Sequence, residues 1–294
     1  MKRMLIVGGT GETGSWFARY FRDRGFLVQV WGPSGKRDVA EALGVDFAPD
    51  VRKAAAKCDV MLISVPIQRT AQVVMDLAPL MRPGALLMDV TSLKSEAMSV
   101  MSRYAPPGVE VLGTHPMFGP TVPAILGQTV ILIPVHDRGE SWLPVIRELF
   151  IGDGARVEVM GAEEHDEMMA VVQALTHFAY LSIGSTLQAL QFDVTRSRRF
   201  MSPVYDIMLD FVGRILDQSP ELYAMIQSNP AAAQVRRTFI DQAKKLGQAA
   251  DAGDTEEFCR MMQEAARHFG KTHEALVRSD RIINQRAQEK TSGR

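Results

Sequence analysis

The chain has 294 residues, 46% of them hydrophobic, with 33 Lys and Arg set against 34 Asp and Glu. That length supports one large domain or two ordinary ones with real cores, and the balanced charge supplies no field to draw nucleic acid or an anionic membrane. Cys58 and Cys259 lie far apart and form no metal-ligand spacing, which fits a reduced, cytoplasmic setting and gives no reason to expect a metal.

Met1-Lys2-Arg3 has the charge of a signal peptide, but the apolar run Met4 to Val7 meets glycine at once and therefore predicts a first strand. No later run approaches the ~20 apolar residues of a membrane helix. Within Gly8-Gly9-Thr10-Gly11-Glu12-Thr13-Gly14, the residues Gly9, Gly11 and Gly14 fit G-x-G-x-x-G. Trp16, Phe17, Tyr20 and Phe21 follow at helical spacing, so the glycines stand between a strand and a helix, the context in which this motif holds a dinucleotide. Gly9 is assigned the tight turn, Gly11 the close approach of backbone to pyrophosphate, and Gly14 the packing of helix on strand. Thr10, Glu12 and Thr13 complete the expected phosphate loop.

Leu27 to Trp31 predicts the second strand. Its end lacks the acid that would grip an NAD ribose and continues Gly32-Pro33-Ser34-Gly35-Lys36-Arg37. Ser34, Lys36 and Arg37 lean the cofactor toward NADP over NAD. The alternative is that the two cations are solvated helix-start charges. Val60 to Ile63 and Ala85 to Val90 are near-continuous apolar runs, as parallel strands buried on both faces should be. The first ends in Val65 and Pro66, on the expected nicotinamide side. A helix is expected from Gln68 to Leu80. Ser92 follows the later strand and either touches substrate or caps the next helix; Lys94 fits a structural or phosphate-side cation better than a catalyst.

Val109 to Leu112 predicts a strand leading into Gly113-Thr114-His115-Pro116-Met117-Phe118-Gly119-Pro120, a loop that would present His115. Thr129 to Ile133 and Arg156 to Val159 predict further strands around a helix from Ser141 to Phe150. Near Gly161 the alternation gives way to long helical stretches. The segment from His165 through His177 to Leu190 is apolar around most of its circumference, so it should be buried in a bundle or against another subunit. Its two histidines lie over three turns apart and cannot form a metal pair. Arg214 sits in the apolar helix Ser202 to Leu216, where a cation calls for an anionic partner: either a ligand carboxylate or a surface salt bridge. Two or three amphipathic helices, split near Gly253-Asp254, should follow. The expected organisation is an α/β Rossmann-type nucleotide-binding domain over residues 1–160, then an all-α dimerisation and substrate domain over 161–285 and a flexible tail.

These motifs resemble the prephenate dehydrogenase family, of the kind fused to chorismate mutase in enteric bacteria. The resemblance rests on Val65-Pro66-Ile67, Asp89-Val90-Thr91-Ser92-Leu93-Lys94, Gly113 to Pro120, Glu164-His165-Asp166, Gln173 to Phe178, Ser202 to Tyr205 with Val212-Gly213-Arg214, and Pro220 to Tyr223. No mutase-like segment is seen, so a stand-alone dehydrogenase is expected. The resemblance implies that His115 takes the proton of the ring hydroxyl, with Ser92 beside it, that Arg214 holds a substrate carboxylate, and that His165 and His177 line the substrate cleft. It further implies a homodimer, prephenate as substrate, and tyrosine as a candidate inhibitor. Arogenate is the nearest alternative substrate. Asp206 stands where an arginine is expected and is the candidate partner for the extra ammonium of arogenate. A β-hydroxyacid dehydrogenase would be expected to use a lysine base that the segment from Met160 to Leu190 lacks. A non-catalytic nucleotide sensor would not need His115 and Arg214 together.

Overall fold

The computed structural model describes residues 1–138 and 141–292. They divide into two compact units, Met1–Met169 and the chain from Ala170 onward. The first unit begins with β1 (Arg3–Val7), α1 (Glu12–Arg22), β2 (Leu27–Trp31), α2 (Arg37–Ala42), β3 (Asp46–Phe47) and α3 (Val51–Ala55). It continues with β4 (Val60–Ile63), α4 (Ile67–Leu77), β5 (Leu86–Asp89), α5 (Ser95–Tyr104) and β6 (Glu110–Pro116). Then come β7 (Thr129–Pro134), α6 (Trp142–Gly152), β8 (Arg156–Val159) and α7 (Ala162–Met169). Ala78–Leu80, expected to be helical with α4, form a separate 3₁₀ turn around Pro79, which cannot continue an α-helix.

Among the described residues the strands form one eight-stranded sheet in the order β3-β2-β1-β4-β5-β6-β7-β8. β1 to β6 are parallel, β7 runs antiparallel to β6, and β8 is parallel to β7. Alternate residues of each strand face opposite layers. Met4 and Ile6 pack with Trp16, Phe17 and Phe21 of α1 and Phe150 of α6. Leu5 and Val7 pack with Val74 of α4, Met98 and Met101 of α5 and Met169 of α7. Burying both faces explains the continuous apolar strands. The order reverses between β1 and β4, and there the carboxyl ends of the strands open the ligand crevice of such sheets.

The expected loop around His115 is strand. β6 runs through Pro116, and His115 lies opposite Ile131 of β7 in the antiparallel register. Gly113 serves this pairing: a Cβ there would stand 2.5 Å from Met98 Sδ and 3.2 Å from Ile133. The bracketing glycine is thus a packing device within the strand, not a loop hinge.

The second unit opens with a π-helical stretch, Ala170–Leu175, followed by α8 (Thr176–Ala189), α9 (Val194–Ser197), α10 (Pro203–Leu216) and α11 (Pro220–Gln227). The long helices α12 (Ala232–Asp251), α13 (Thr255–Phe269) and α14 (Thr272–Ser292) complete it. Ser202, Ser219 and Asp254 cap α10, α11 and α13 through their side-chain oxygens. Residues 286–292, expected in a flexible tail, are the last turns of α14; residues 293–294 lie outside the described residues.

The continuous helical run Ala162–Ala189 is long and apolar enough to cross a membrane by length and composition, with a mean hydropathy of 1.2, where no such run was expected. Its start is core: His165 and Met169 are buried. In α8, by contrast, no residue is buried within the single chain, which rules out the expectation of burial inside a one-chain bundle.

Candidate active site

The chain turns from β1 into α1 through Gly8, whose φ of +86° makes it, and not Gly9, the residue that takes the tight turn. Sequence assigned the turn to Gly9 because the motif's first glycine usually holds it. Here the Gly8 and Gly9 N–H groups both donate to Trp31 O, and the left-handed residue comes one place earlier. A Cβ on Gly8 would lie 2.0 Å from Ser64 O and 3.1 Å from Val65, so this turn brings Val65, with Pro66 behind it, against the glycine loop. A Cβ on Gly14 would stand 2.3 Å from Gly8 O, so the third glycine does permit the helix to pack on the turn. Gly11 meets nothing closer than 3.4 Å and is the N-cap of α1, with no side chain capping the helix. Its first N–H groups, on Glu12, Thr13 and Gly14, therefore carry the helix's positive end without a side-chain cap, which suits a diphosphate.

After β2 the acid position is held by Gly32. A Cβ on Gly32 would fall 2.2 Å from the Thr10 hydroxyl, so a side chain there would have to turn Thr10 aside. Ser34, Lys36 and Arg37 follow, all exposed, and no carboxylate of the described residues pairs with either cation. Arg37 stands over the Phe47 ring at 5.7 Å. The residues at this crevice fit a nicotinamide dinucleotide.

At the far ends of β5 and β6 the chemistry condenses. His115 is 3% exposed and His165, at the start of the long helix, is fully buried. His115 Nδ1 lies 2.8 Å from His165 Nε2, and His165 Nδ1 lies 2.8 Å from Asp166 Oδ1. Asp166 also accepts from the Lys94 N–H at 2.8 Å and the Ser95 N–H at 2.9 Å, capping α5. Burial alone would raise the Asp166 pKa, but the donors His165, Ser95 and Lys94 outweigh it and hold the carboxyl at about 2.

An ionised Asp166 fixes the proton of neutral His165 on Nδ1, which leaves Nε2 to accept from the Nδ1–H of His115. His115 is thereby held with a lone pair on Nε2, the tautomer of a general base. Burial, chiefly, and the Lys94 charge depress its proton affinity well below that of an ordinary histidine, with Asp166 opposing them. The expected cleft histidine is therefore the inner member of a relay. Sequence missed this because residues 115 and 165 meet only when α7 docks on the sheet.

Ser92 is half-buried at the mouth of β5. It does not cap α5, since Asp166 does, and its hydroxyl has no hydrogen bond to the described residues. Lys94 is fully buried and its ammonium pairs with Asp89.

In the second unit the ring of His177 packs edge-on to Tyr223 at 4.7 Å between centroids. Its Nδ1 is buried with no partner among the described residues, and burial depresses its pKa. Burial raises the Tyr223 hydroxyl, with the charge of Arg214 pulling the other way, so Arg214, Tyr223 and His177 share one neighbourhood. Arg214 is exposed, and no carboxylate of the described residues pairs with it. Tyr223 is a member of this group that the sequence left without a role. Asp206 is not an open ammonium site. It is 2% exposed and takes Arg286 Nε of α14 at 2.7 Å and Arg198 at 3.7 Å, while Arg286 also grips Asp210.

The chain matches the prephenate dehydrogenase nucleotide-binding domain over residues 17–159 and the prephenate dehydrogenase dimerization domain over residues 161–264. It is 43% identical over 270 residues to a probable arogenate/prephenate dehydrogenase of Methanocaldococcus jannaschii, a match covering 90% of this chain but only 60% of that protein. A 4-amino-4-deoxyprephenate dehydrogenase of Streptomyces pristinaespiralis is 35% identical over 284 residues, 94% of each chain. The fold is similar to that of the A. aeolicus prephenate dehydrogenase crystallised with hydroxyphenyl propionate and NAD+, with a TM-score of 0.74 at 21% identity over 91% of this chain and 97% of that one. With both halves matched in order and the crevice shaped for a nicotinamide dinucleotide, the chain belongs to the prephenate dehydrogenase family of NAD(P)-dependent oxidoreductases.

Proposed function

We propose that the chain oxidises and decarboxylates prephenate to 4-hydroxyphenylpyruvate, as a cytoplasmic step of tyrosine biosynthesis. The observation that carries this reading is the Asp166–His165–His115 relay, which leaves one imidazole nitrogen as a proton acceptor at the carboxyl end of the sheet. The bound nicotinamide supplies the hydride acceptor. His115 Nε2 takes the proton of the ring hydroxyl as the carbinol becomes a carbonyl, and Ser92 orients that hydroxyl. Loss of carbon dioxide then makes the ring aromatic, so the protein has mainly to align the reactants and remove one proton.

Gly9 to Gly14, Val65 and Pro66 are proposed to hold the dinucleotide. NADP is favoured over NAD by the glycine, Gly32, at the acid position and by Ser34, Lys36 and Arg37, whose cations have no carboxylate partner among the described residues. Arg214 is proposed to grip a substrate carboxylate with its planar fork, and His177 to meet the substrate side chain. Arg214→Gln should therefore raise KM for prephenate at least tenfold with kcat held within about threefold, because the contact exists in the ground state. Steady-state kinetics against prephenate checks this.

The exposed apolar residues Val172, Phe211, Leu216 and Leu222, with α8 unburied in one chain, favour a homodimer in which a second copy covers apolar surface of the second unit. Sedimentation at micromolar concentration should find twice the chain mass of 32.5 kDa; a monomer there removes the dimer from the proposal.

The function itself is tested by reduced-nicotinamide absorbance in four mixtures, prephenate or arogenate with NAD or NADP. Turnover with prephenate and NADP is expected. Faster turnover with arogenate reassigns the substrate, and silence in all four with nucleotide still bound favours a sensor. Tyrosine added to the productive mixture tests it as inhibitor.

A further inference from the structure

Beneath His115 lies an ion pair to which the proton transfer gives no part. Lys94 and Asp89 have side chains with no solvent exposure, and Lys94 Nζ stands 2.7 Å from Asp89 Oδ2. Nζ also donates to Thr114 O at 2.8 Å, the carbonyl of the residue that precedes His115. Asp89 Oδ2 further accepts from the Thr91 N–H at 3.0 Å and from the Thr91 hydroxyl. The Lys94 backbone N–H binds Asp166, the outer member of the relay. Lys94 thus touches both ends of the constellation: the strand end that carries the base and the carboxylate that orients it.

A buried ion pair of this kind is weak evidence for stability, because desolvating both charges offsets their attraction. Two neutral residues would fill the space at lower cost, which leaves the charge itself to be explained. We propose that Lys94 is a positioning residue for His115: its ammonium, anchored by Asp89, pins the Thr114 carbonyl and sets a fixed positive charge beside the imidazole. This inference rests on His115 as the base.

The groups that face His115 from its surroundings are few. Lys94 lies at the head of α5 and His165 and Asp166 on α7, while Asp89 on β5 faces it through Lys94. β7 offers the apolar Ile131 opposite it. Lys94 disfavours an imidazolium and Asp166 favours one. Burial lowers the proton affinity of Lys94, and Asp89 works against that loss to keep the ammonium charged. The cation therefore biases His115 toward the form that receives a proton.

The test compares Lys94→Met, which leaves Asp89 buried and unpaired, with the double variant Asp89→Asn/Lys94→Met, which replaces the ion pair by two neutral groups of similar size. The readouts are the acid limb of kcat/KM and the titration of His115 followed by NMR in the enzyme without substrate. In the double variant both should move upward by about one to two pH units, the effect of removing a neighbouring unit charge from a protein interior. A folded double variant whose His115 titrates as in the parent enzyme overturns the inference, even if kcat falls. The NMR readout is independent of turnover, so failure of the prephenate reading in the parent enzyme remains distinguishable from failure of this one. Should Lys94→Met not fold, the double variant still decides.

Discussion

Replacing His115 with Asn should lower kcat by roughly 10²- to 10⁴-fold, the usual worth of a positioned general base, with KM for prephenate and nucleotide affinity changed little. His115 is the end of the relay whose Nε2 has no hydrogen-bond partner among the described residues, and its Nδ1–H is committed to His165 at 2.8 Å. Asparagine has no basic nitrogen, so the proton of the ring hydroxyl must leave to water. Stopped-flow measurement of the first turnover would localise the loss to hydride transfer. Equal losses in KM and kcat would mean that His115 holds substrate instead.

The pH dependence follows from the depressed proton affinity of His115. The neutral base persists through the neutral range, so the acid limb of kcat/KM should fall below the ordinary histidine value of about 6.5, and it should vanish in the Asn variant. The same shift enters stability with a definite sign. As pH falls below about 6.5, the unfolded chain takes up a proton that buried His115 refuses, so folding stability declines toward the lower folded value. His115→Asn should remove that contribution, which urea titrations at neutral and mildly acid pH would detect.

The alternation of strand and helix, the dinucleotide crevice and the change to helices near Gly161 were legible because each is a local pattern: apolar runs, glycines at fixed offsets, 3.6-residue periodicity. What the sequence left unread depends on pairing over long distances. His115 was expected in a loop because glycine and proline surround it. β7 claims the segment as strand, and Gly113 supplies the clearance. Asp206 looked available because the sequence does not show that α14 returns Arg286 to it across 80 positions. Tyr223 gained a place only through its contact with His177. The Gly113-Thr114-His115-Pro116 setting did mark a site; the acid two places along the relay carried no signal beyond its position beside a histidine in Glu164-His165-Asp166.

That acid gives the second large effect. Asp166→Asn should reduce kcat by roughly 10²- to 10⁴-fold, as loss of the orienting carboxylate does in catalytic triads, with nucleotide binding intact. The asparagine is nearly isosteric but has one acceptor where Asp166 has two. If its oxygen keeps the Lys94 N–H and His165 Nδ1–H, its amide opposes the Ser95 N–H at the head of α5. If it turns over, the amide donates to His165 Nδ1, His165 carries its proton on Nε2, and His115 must accept on Nδ1 and lose its free lone pair on Nε2. Either arrangement deletes the charge that stabilises the imidazolium formed during reaction, and the weakened helix cap costs about 1 kcal/mol. Because Asp166 favours the protonated form of His115, the residual activity should show its acid limb at lower pH. Neutralising Lys94 with Asp89 should move that limb upward. Retention of a third or more of the parental kcat in a folded Asp166→Asn enzyme would mean that His115 works without the relay. Limbs displaced in the same direction by the two changes would mean that the base titrating is not His115.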